Sequence, residues 1–249
     1  MSSDSLRLRG SKHRAAIRQG LTSVRYALRQ HSLLEKYTSV LVGLSGGIDS
    51  LVLLFLLFVY KETFQQHWNI KAAHIDLGFP LWNPSDLQEL LSQYNIRCII
   101  AKTNIYNRLS KIQDKCFFCS RARREKLMNI AEKYNIFNVA LAHHQEDVAE
   151  TLLLNMFHSG RISTLLPKQG VIHGRFFVVR PLYYMDKEAI QKIGHAFGLK
   201  TLHNSCPFYH ASRRESVRNL LEEIRKENPD IYANLFGSIF NIKRSYMPS

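Results

Sequence analysis

The chain has 249 residues, 45% of them hydrophobic and 22% charged, which is enough for one large α/β domain with a full core. The 34 Lys and Arg outnumber the 20 Asp and Glu, so the net charge is +14 and the pI is near 9.8. The longest apolar run, Leu51–Tyr60, is too short to span a bilayer, and four cysteines are too few for a secreted disulfide scaffold.

These bulk properties indicate a soluble, cytoplasmic protein with a polyanionic partner, most often nucleic acid, although acidic membranes also attract basic proteins. No signal peptide is visible at the polar, basic N-terminus. The positive charge lies in three clusters, within residues 1–30, Arg121–Lys126 and Arg213–Arg218. One such cluster is usually a solvated helix face, but three together favour contacts with RNA or DNA phosphates.

The first helical pattern covers residues 12–37, where apolar residues at helical spacing predict one or two basic amphipathic helices. Five strand-like segments follow: Val40–Leu44, Ile70–Ile75, Cys98–Thr103, Val139–Ala142 and Phe176–Arg180. Helical patterns alternate with them, near Ser50–Gln66, Ser85–Tyr94, Cys119–Tyr134, Glu146–His158 and Lys187–Phe197.

This alternation predicts an α/β fold with a doubly wound, mostly parallel five-stranded sheet, basic N-terminal helices and a helical C-terminal part. We divide the chain into a basic N-terminal segment (1–37), a central domain (38–212) and a C-terminal helical segment (213–249). Ligands of such sheets bind at the carboxyl ends of the strands. Four polar segments lie at those ends, so we expect them to share one crevice: Ser45–Ser50, His74–Asp76, Lys102–Asn104 and His143–Asp147.

The most informative motif is a glycine turn between the first strand and an apolar helix. Ser45, Gly46, Gly47 and Ser50 lie where main-chain N–H groups, hydroxyls and a helix N-terminus converge, an arrangement that binds a polyphosphate. It is not a Walker loop, because no lysine follows the glycines. The alternative is an ordinary strand–helix turn with Asp49 or Ser50 as the N-cap.

Cys116 and Cys119 form a C-x-x-C pair, and Cys206 lies much further along the chain. Two thiolates at this spacing can ligate one metal centre. The residues leave three possibilities open: a redox dithiol, a zinc site completed by Cys206 with His203 or His210, and an iron–sulfur cluster held by three cysteines. Cys98 lies within an apolar run and is predicted to be core.

A second polar motif, Ala142–Asp147, follows the fourth strand and contains two histidines and two carboxylates. The carboxylates of Glu146 and Asp147 are suited to Mg²⁺ on ATP phosphates, and the small Ala142 permits close approach of a nucleotide. The alternative is that both acids stabilise the N-terminus of the next helix. For His143 and His144 a structural role is as good an interpretation as ligand contact.

Together these motifs resemble the tRNA 2-thiolation branch of the pyrophosphate-loop ATPases, specifically the tRNA 2-thiocytidine synthetase family. The match covers residues 12–245 and is most specific at Leu44–Ser50, Cys116–Cys119 and Ala142–Phe157. The resemblance implies an adenine nucleotide alpha-hydrolase-like fold. It also implies an ATP-dependent sulfurtransferase that adenylates the C2 oxygen of a tRNA base, cytidine first, and replaces that oxygen with sulfur.

By the same resemblance, Cys116, Cys119 and Cys206 hold a [4Fe–4S] cluster and act with Asp49 in catalysis. The expected nucleotide-binding residues are Ser45, Gly46, Gly47, Asp49, Ser50, Ile75, Ala142 and Asp147. Expected cofactors are ATP, Mg²⁺ and the cluster. Expected partners are tRNA, a sulfur donor of the cysteine-desulfurase type and a second copy of the chain, with no membrane. Ile48 departs from the family, whose members usually carry lysine there.

Two other functions stay open at this point. The first is a zinc-stabilised ligase or amidotransferase of the lysidine-synthetase type, which shares the loop. The second is a non-catalytic RNA-binding module with a degenerate loop, for which Ile48 is the indication.

Overall fold

The computed structural model describes residues 11–80, 82–110, 112–202, 206–208 and 212–246. A six-stranded sheet forms its centre, in the order β3-β2-β1-β4-β6-β5. The strands are β1 (Ser39–Leu44), β2 (Asn69–Asp76), β3 (Cys98–Lys102), β4 (Asn138–Ala140), β5 (Lys168–Val171) and β6 (Phe176–Val179). All neighbours pair in parallel except β5 and β6, which are antiparallel.

Strand β1 is the point at which the winding of the sheet changes direction. It pairs with β2 on one side, Val40 opposite Ile70, and with β4 on the other, Val40 opposite Asn138. The segments that leave β1 and β4 therefore begin side by side. In a doubly wound sheet this switch point forms the crevice in which ligands bind.

The helices flank this sheet. They are α1 (Ser11–Gln30), α2 (Ile48–Thr63), α3 (Pro84–Ser92), α4 (Ile105–Leu109), α5 (Lys115–Lys133), α6 (Gln145–Ser159), α7 (Lys187–Ala196), α8 (Arg213–Glu227) and α9 (Ile231–Ser238). A 3₁₀ turn covers Arg244–Tyr246. Within the described ranges, no helix combines the length and apolar character needed to cross a membrane.

Two apolar clusters cover the two faces of the sheet. Val40, Val42 and Leu44 of β1 face the first cluster, which contains buried residues of α1, α2, α3 and α7. Leu41 of β1 faces the second cluster, which contains buried residues of α4 and α5. This alternation follows from the two-residue period of a strand. Residues 51–57 of α2 are all buried, because the helix lies between the sheet on one side and α1 and α7 on the other.

The expected α/β fold with a doubly wound, mostly parallel sheet is confirmed, but the number of strands is six rather than five. The missed strand is β5, a short edge strand without alternation of apolar and polar residues. It pairs through a tight hairpin in which Ile172, His173 and Gly174 have positive φ. Ile172 and His173 are not residue types that signal such a turn, so the pattern gave no strand.

The N-terminal region contains one helix in the described residues, where one or two were expected. Helix α1 ends at Gln30, and Ser32 then adopts a positive φ of 45°. Val24 and Leu28 of α1 belong to the same apolar cluster as β1 and α2. The division of the chain at residues 37 and 212 stays a prediction.

Candidate functional site

The glycine turn joins β1 to α2 and is held by its own hydroxyl groups. The Ser50 hydroxyl donates to the Gly47 carbonyl at 2.8 Å and accepts from the Ser45 N–H at 3.2 Å. The Gly47 N–H donates to the Ser45 hydroxyl, also at 3.2 Å. No side chain caps α2, whose N-cap residue is Gly47. The free N–H groups of the first helical turn therefore remain available to an anion.

Gly46 is required at its position for two reasons. Its φ of +86° lies in the region that favours glycine, and a Cβ there would lie 2.7 Å from the Cη2 atom of Trp82. The Trp82 ring also packs on His74 at the end of β2, with ring centres 4.8 Å apart. The His74 ring in turn bonds the Leu44 carbonyl through Nδ1 at 2.9 Å. This contact connects the end of β2 to the beginning of the loop.

Asp49 lies in the first turn of α2 and faces the second polar motif. Its Oδ2 atom is 3.9 Å from Nε2 of His144. Its Oδ1 atom is buried and has no hydrogen-bond partner among the described residues. Burial raises the pKa of Asp49, an effect that the His144 charge opposes. A buried carboxylate oxygen without a partner is costly, so this atom is suited to a bound cation or a ligand donor.

His144 is the N-cap of α6 and is surrounded by carboxylates. Its Nδ1 lies 2.8 Å from Glu146, its Nε2 lies 3.4 Å from Asp147, and its main-chain N–H donates to Asp147 at 3.1 Å. Although burial disfavours its charge, the hydrogen bond with Glu146 and the charge of Asp147 raise the pKa of His144 to about 8. His144 is therefore protonated at neutral pH and places a positive charge beside Asp49.

His143 has the opposite charge state. Burial lowers its pKa to about 3, and the Arg180 guanidinium acts in the same direction. Arg180 Nε donates to His143 Nδ1 at 3.1 Å, which requires a neutral ring that accepts at this nitrogen. Arg180 is itself buried and also donates to the Leu166 carbonyl and to Gln169. His143 is thus held as a structural acceptor, whereas His144 carries charge into the site.

Helix α8 is connected to α6 by ion pairs to one buried glutamate. Glu150 is 1% exposed and receives Arg218 Nε at 2.8 Å and Arg218 Nη2 at 3.2 Å. Arg214 lies 3.5 Å from Glu150 and 3.7 Å from Asp147, and it donates to the Thr151 hydroxyl at 3.0 Å. Arg214 and Arg218 belong to the cluster that we predicted to contact phosphates. In the structure both neutralise the desolvated Glu150, and a phosphate contact of this cluster stays a prediction.

The C-x-x-C pair lies where α5 begins. Asp114 caps the helix by accepting from the Phe117 N–H at 3.1 Å, which leaves Cys116 and Cys119 in and just after the first turn. Burial raises the pKa of the Cys119 thiol, and the nearby Arg123 guanidinium opposes that shift. Burial raises the pKa of Cys116 as well, and the charge of Cys206 adds to the effect. The three thiols therefore lie close enough together for their charges to interact.

The segment that carries Cys206 contacts both motifs. Upstream, the Leu202 N–H donates to the Gly46 carbonyl of the loop at 3.2 Å. Downstream, the Phe208 ring packs in the apolar cluster that contains Phe118 and Cys119, with Lys115 Nζ 5.4 Å from the ring centre. Leu202 and Phe208, which lie on either side of Cys206 in the sequence, thus contact the glycine turn and the beginning of α5 respectively. His203 and His210, the possible fourth zinc ligands, lie outside the described residues.

Among the residues that the structure describes, no set of three or more His, Cys, Asp and Glu side chains is arranged to hold a metal ion. The donor set nevertheless fits a thiolate-bound centre in its chemistry. Cys116 and Cys119 are not in disulfides, and the charge of Cys206 acts on both of them. Cys98 does not belong to them, because burial raises the pKa of its thiol to about 12.

The structure brings most of the predicted nucleotide-binding residues together. Ser45–Ser50 and Asp147 lie at the switch point, and Ala142 follows β4 directly. The Ile75 side chain does not lie with these residues. Ile75 is 2% exposed and packs in the second apolar cluster, away from the loop. Ile48 also points away: a Cβ on Gly194 of α7 would lie 2.6 Å from Ile48 Cδ1. The apolar residue at position 48 is therefore explained by packing against α7.

Three further residues of the site had no assigned role in the sequence analysis. Trp82 covers Gly46, Arg180 binds His143, and Glu150 anchors α8. Glu150 carried a usable signal, because three positions separate it from Asp147, which places both on one face of α6. Trp82 and Arg180 carried none, since their partners are distant in sequence.

Comparison with known proteins decides the family of the chain. A family model described as a PP-loop domain matches residues 21–224. The chain belongs to the PP-loop family. The "tRNA-cytidine(32) 2-sulfurtransferase" of Bartonella tribocorum is 32% identical over 232 residues, which cover 91% of this chain and 81% of that protein. The protein of the same name from Geotalea uraniireducens is 29% identical and is covered to 90% of its length.

Solved structures support the fold of this PP-loop protein. The "U34-tRNA thiolase NcsA from Methanococcus maripaludis with its [4Fe-4S] cluster" matches with a TM-score of 0.73 at 23% sequence identity. The match covers 90% of this chain and 78% of that one. The resemblance to the tRNA 2-thiolation branch and the adenine nucleotide alpha-hydrolase-like fold, both inferred from motifs, are confirmed. The roles of the individual site residues stay predictions.

Proposed function

We propose that this PP-loop protein is an ATP-dependent tRNA sulfurtransferase that adenylates the C2 oxygen of a tRNA base, cytidine first, and replaces the oxygen with sulfur. The observation that carries the proposal is a pair of contacts on either side of Cys206 in the sequence: Leu202 contacts the glycine turn, and Phe208 contacts the beginning of α5. This arrangement supports adenylation and sulfur delivery in one crevice. The names of the relatives support a tRNA cytidine as the substrate.

The glycine turn would hold the phosphates of ATP. The N–H groups of the first turn of α2 have no capping side chain and suit the phosphate oxygens. Asp49, with its unpartnered Oδ1, and Asp147 are the carboxylates that we assign to Mg²⁺. Protonated His144 lies between these two acids and reduces their mutual repulsion. The acids can therefore stay ionised beside a cation.

In the first chemical step, the C2 oxygen of the base attacks the α-phosphorus of ATP, the bond to the β-phosphate oxygen breaks, and pyrophosphate leaves. In the second step, the sulfur of a hydrosulfide ion bonds to C2, the C2–O bond breaks, AMP leaves with that oxygen, and the hydrosulfide proton passes to water. The protein contributes alignment and charge neutralisation to both steps. Adenylation is needed because an oxide ion is a poor leaving group, whereas AMP is a good one.

Cys116, Cys119 and Cys206 are the residues that would hold the [4Fe–4S] cluster. When bound, the cluster would supply the sulfur chemistry of the second step. Lys115 and Arg123, next to the pair, place positive charge beside the thiolates that ligation requires. A donor of the cysteine-desulfurase type would provide the sulfur atom in the cytoplasm. A homodimer stays a prediction.

The test is the Cys206→Ser variant, purified without oxygen beside the Cys98→Ala control. We expect Cys206→Ser to lose iron, acid-labile sulfide and tRNA thiolation, read by mass spectrometry of tRNA nucleosides, while it binds ATP as the wild type does. Cys98→Ala removes a core thiol and should keep all of these properties. Normal thiolation by Cys206→Ser would contradict the assignment of the three cysteines.

Measurements on the wild-type protein distinguish the sulfurtransferase from the two other functions. A colourless protein with stoichiometric zinc and no iron would favour the ligase or amidotransferase of the lysidine-synthetase type. A reconstituted protein that releases no pyrophosphate from ATP in the presence of tRNA would favour the non-catalytic RNA-binding module. Iron, sulfide and tRNA-dependent pyrophosphate release together support the sulfurtransferase.

A further inference from the structure

Helix α1 carries a one-sided stripe of arginines. Its twenty residues contain five Lys and Arg and no Asp or Glu. Arg14, Arg18, Arg25 and Arg29 recur at intervals of four, seven and four residues, so at 3.6 residues per turn they fall within a sector of about 60°. At 1.5 Å per residue the stripe is about 22 Å long. We call these four residues the α1 stripe.

The arginines of the α1 stripe are not paired with buried acids of the described residues. Arg14, Arg18 and Arg29 are exposed, Arg25 is half-buried over the Phe64 ring, and none of the four forms an ion pair with a described residue. Arg214 and Arg218, in contrast, are committed to Asp147 and Glu150. The structure thus separates basic residues that stabilise the fold from basic residues that face solvent.

Exposed aromatic rings lie beside the stripe. Tyr26 of α1 is 53% exposed, and its ring meets the Tyr184 ring edge-on at 4.9 Å. Tyr184 also stacks with Phe240, which is 52% exposed, at 6.2 Å. Lys243 and Arg244 follow Phe240 on the exposed C-terminal segment. Positive charge next to exposed aromatic rings is typical of surfaces that bind RNA, where bases stack on the rings.

We propose that the α1 stripe, with Tyr26 beside it, is a docking surface for the phosphate backbone of the tRNA substrate. This inference rests on the proposed function and adds where the RNA lies on the protein. A membrane is the less suitable partner, because a membrane-surface helix needs a free apolar face. The apolar face of α1, including Ile17, Val24 and Leu28, is already buried against α2 and α7.

The test compares two double variants that remove equal charge. Arg14→Gln/Arg18→Gln changes the exposed part of the stripe and keeps good helix formers there. Arg97→Gln/Lys133→Gln is the matched control, because both of its residues are exposed and lie just before β3 and at the end of α5, at the amino ends of the strands. Binding of fluorescently labelled tRNA is measured across a salt series, and ATP binding is measured in parallel.

We expect the stripe variant to bind tRNA roughly tenfold more weakly than the wild type. The slope of log binding constant against log salt concentration should become shallower by about 1.5, since each lost phosphate contact reduces this slope by about 0.7 to 0.9. The control should bind within about twofold of the wild type, and Arg14→Lys/Arg18→Lys should restore most of the affinity, since lysine keeps the charge. ATP binding should not change in any of these variants. Circular dichroism establishes that α1 is still folded.

Two results would overturn the docking surface and leave the sulfurtransferase proposal standing. One is a stripe variant that binds tRNA with the affinity and salt slope of the wild type. The other is binding to anionic phosphatidylglycerol vesicles that needs the stripe while tRNA binding does not. A wild-type protein that binds no tRNA would instead contradict the proposed function itself.

Discussion

The main-chain N–H of Leu202 donates to the carbonyl oxygen of Gly46 at 3.2 Å. This bond connects the glycine turn to the segment that carries Cys206, across more than 150 positions of the chain. Gly46 is thereby fixed from three directions, by β1, by Leu202 and by the Trp82 ring. A change at Gly46 should therefore be felt in the shape of the loop.

Gly46→Ala should disturb the loop by backbone strain and by a clash with Trp82. Its φ is +86°, and the new Cβ would lie 2.7 Å from the ring. We expect a loss of about 1 to 3 kcal/mol in the free energy of unfolding and roughly tenfold weaker ATP binding. Urea denaturation and ATP titration measure the two effects.

Gly160→Ala is the matched control for this prediction. Gly160 also has a positive φ, 59°, but nothing lies within 4 Å of the Cβ position. Gly160 ends α6, far along the chain from the loop. Gly160→Ala should therefore lower the free energy of unfolding through backbone strain without weakening ATP binding. Equal ATP affinities in the two variants would mean that the contact between Trp82 and Gly46 does not shape the loop.

Asp49→Asn should lower activity without lowering stability. Burial raises the pKa of Asp49, so the folded protein disfavours its charge at neutral pH. We therefore expect the free protein to unfold at the same or a slightly higher temperature, while tRNA-dependent pyrophosphate release falls on the order of 10²-fold. Iron content after reconstitution should not change. A lower unfolding temperature with normal pyrophosphate release would contradict the role that we assign to this carboxylate.

His144 predicts how the stability of the free protein depends on pH. Its pKa is about 8 in the folded protein against an ordinary value of 6.5, so the folded state holds the proton more tightly. This stabilisation is fully present below about pH 6.5 and is lost as the pH rises through 8, a change of about 2 kcal/mol. It is measured by urea denaturation between pH 6 and 9 in EDTA.

The His144→Gln variant isolates this contribution, because the difference between wild type and variant cancels groups that titrate alike in both. That difference should shrink as the pH rises. A difference that is constant across the range would mean that folding does not shift the pKa of His144.

Arg218→Gln should lower stability, because among the described residues it leaves the buried Glu150 with Arg214 as its cation partner. We expect a loss of about 3 kcal/mol in the free energy of unfolding, the range found when one partner of a buried ion pair is removed. Arg213→Gln, at an exposed neighbouring position, should change stability by less than about 0.5 kcal/mol. Equal stabilities of the two variants would mean that Arg218 does not neutralise Glu150.

Much of the site could be predicted because its motifs are contiguous. Ser45–Ser50 follows a strand and begins a helix, and Cys116 and Cys119 begin another, so local spacing predicts their geometry. The edge strand β5 was missed for the same reason, since its hairpin has no local turn signal. The ion pairs between the arginines of α8 and Glu150 were not predicted, because a cluster of charge looks the same whether it faces solvent or a buried acid.

The sequence by itself determined the glycine turn between a strand and a helix, the thiol pair, the excess of positive charge and the doubly wound sheet. Each of these depends on residues close together in the chain or on composition. Only the tertiary structure decided which arginines form ion pairs with Glu150, that Ile48 packs on Gly194, and that Leu202 bonds to Gly46. These are contacts between distant segments, and a side chain's partner depends on which elements pack together rather than on its neighbours in sequence.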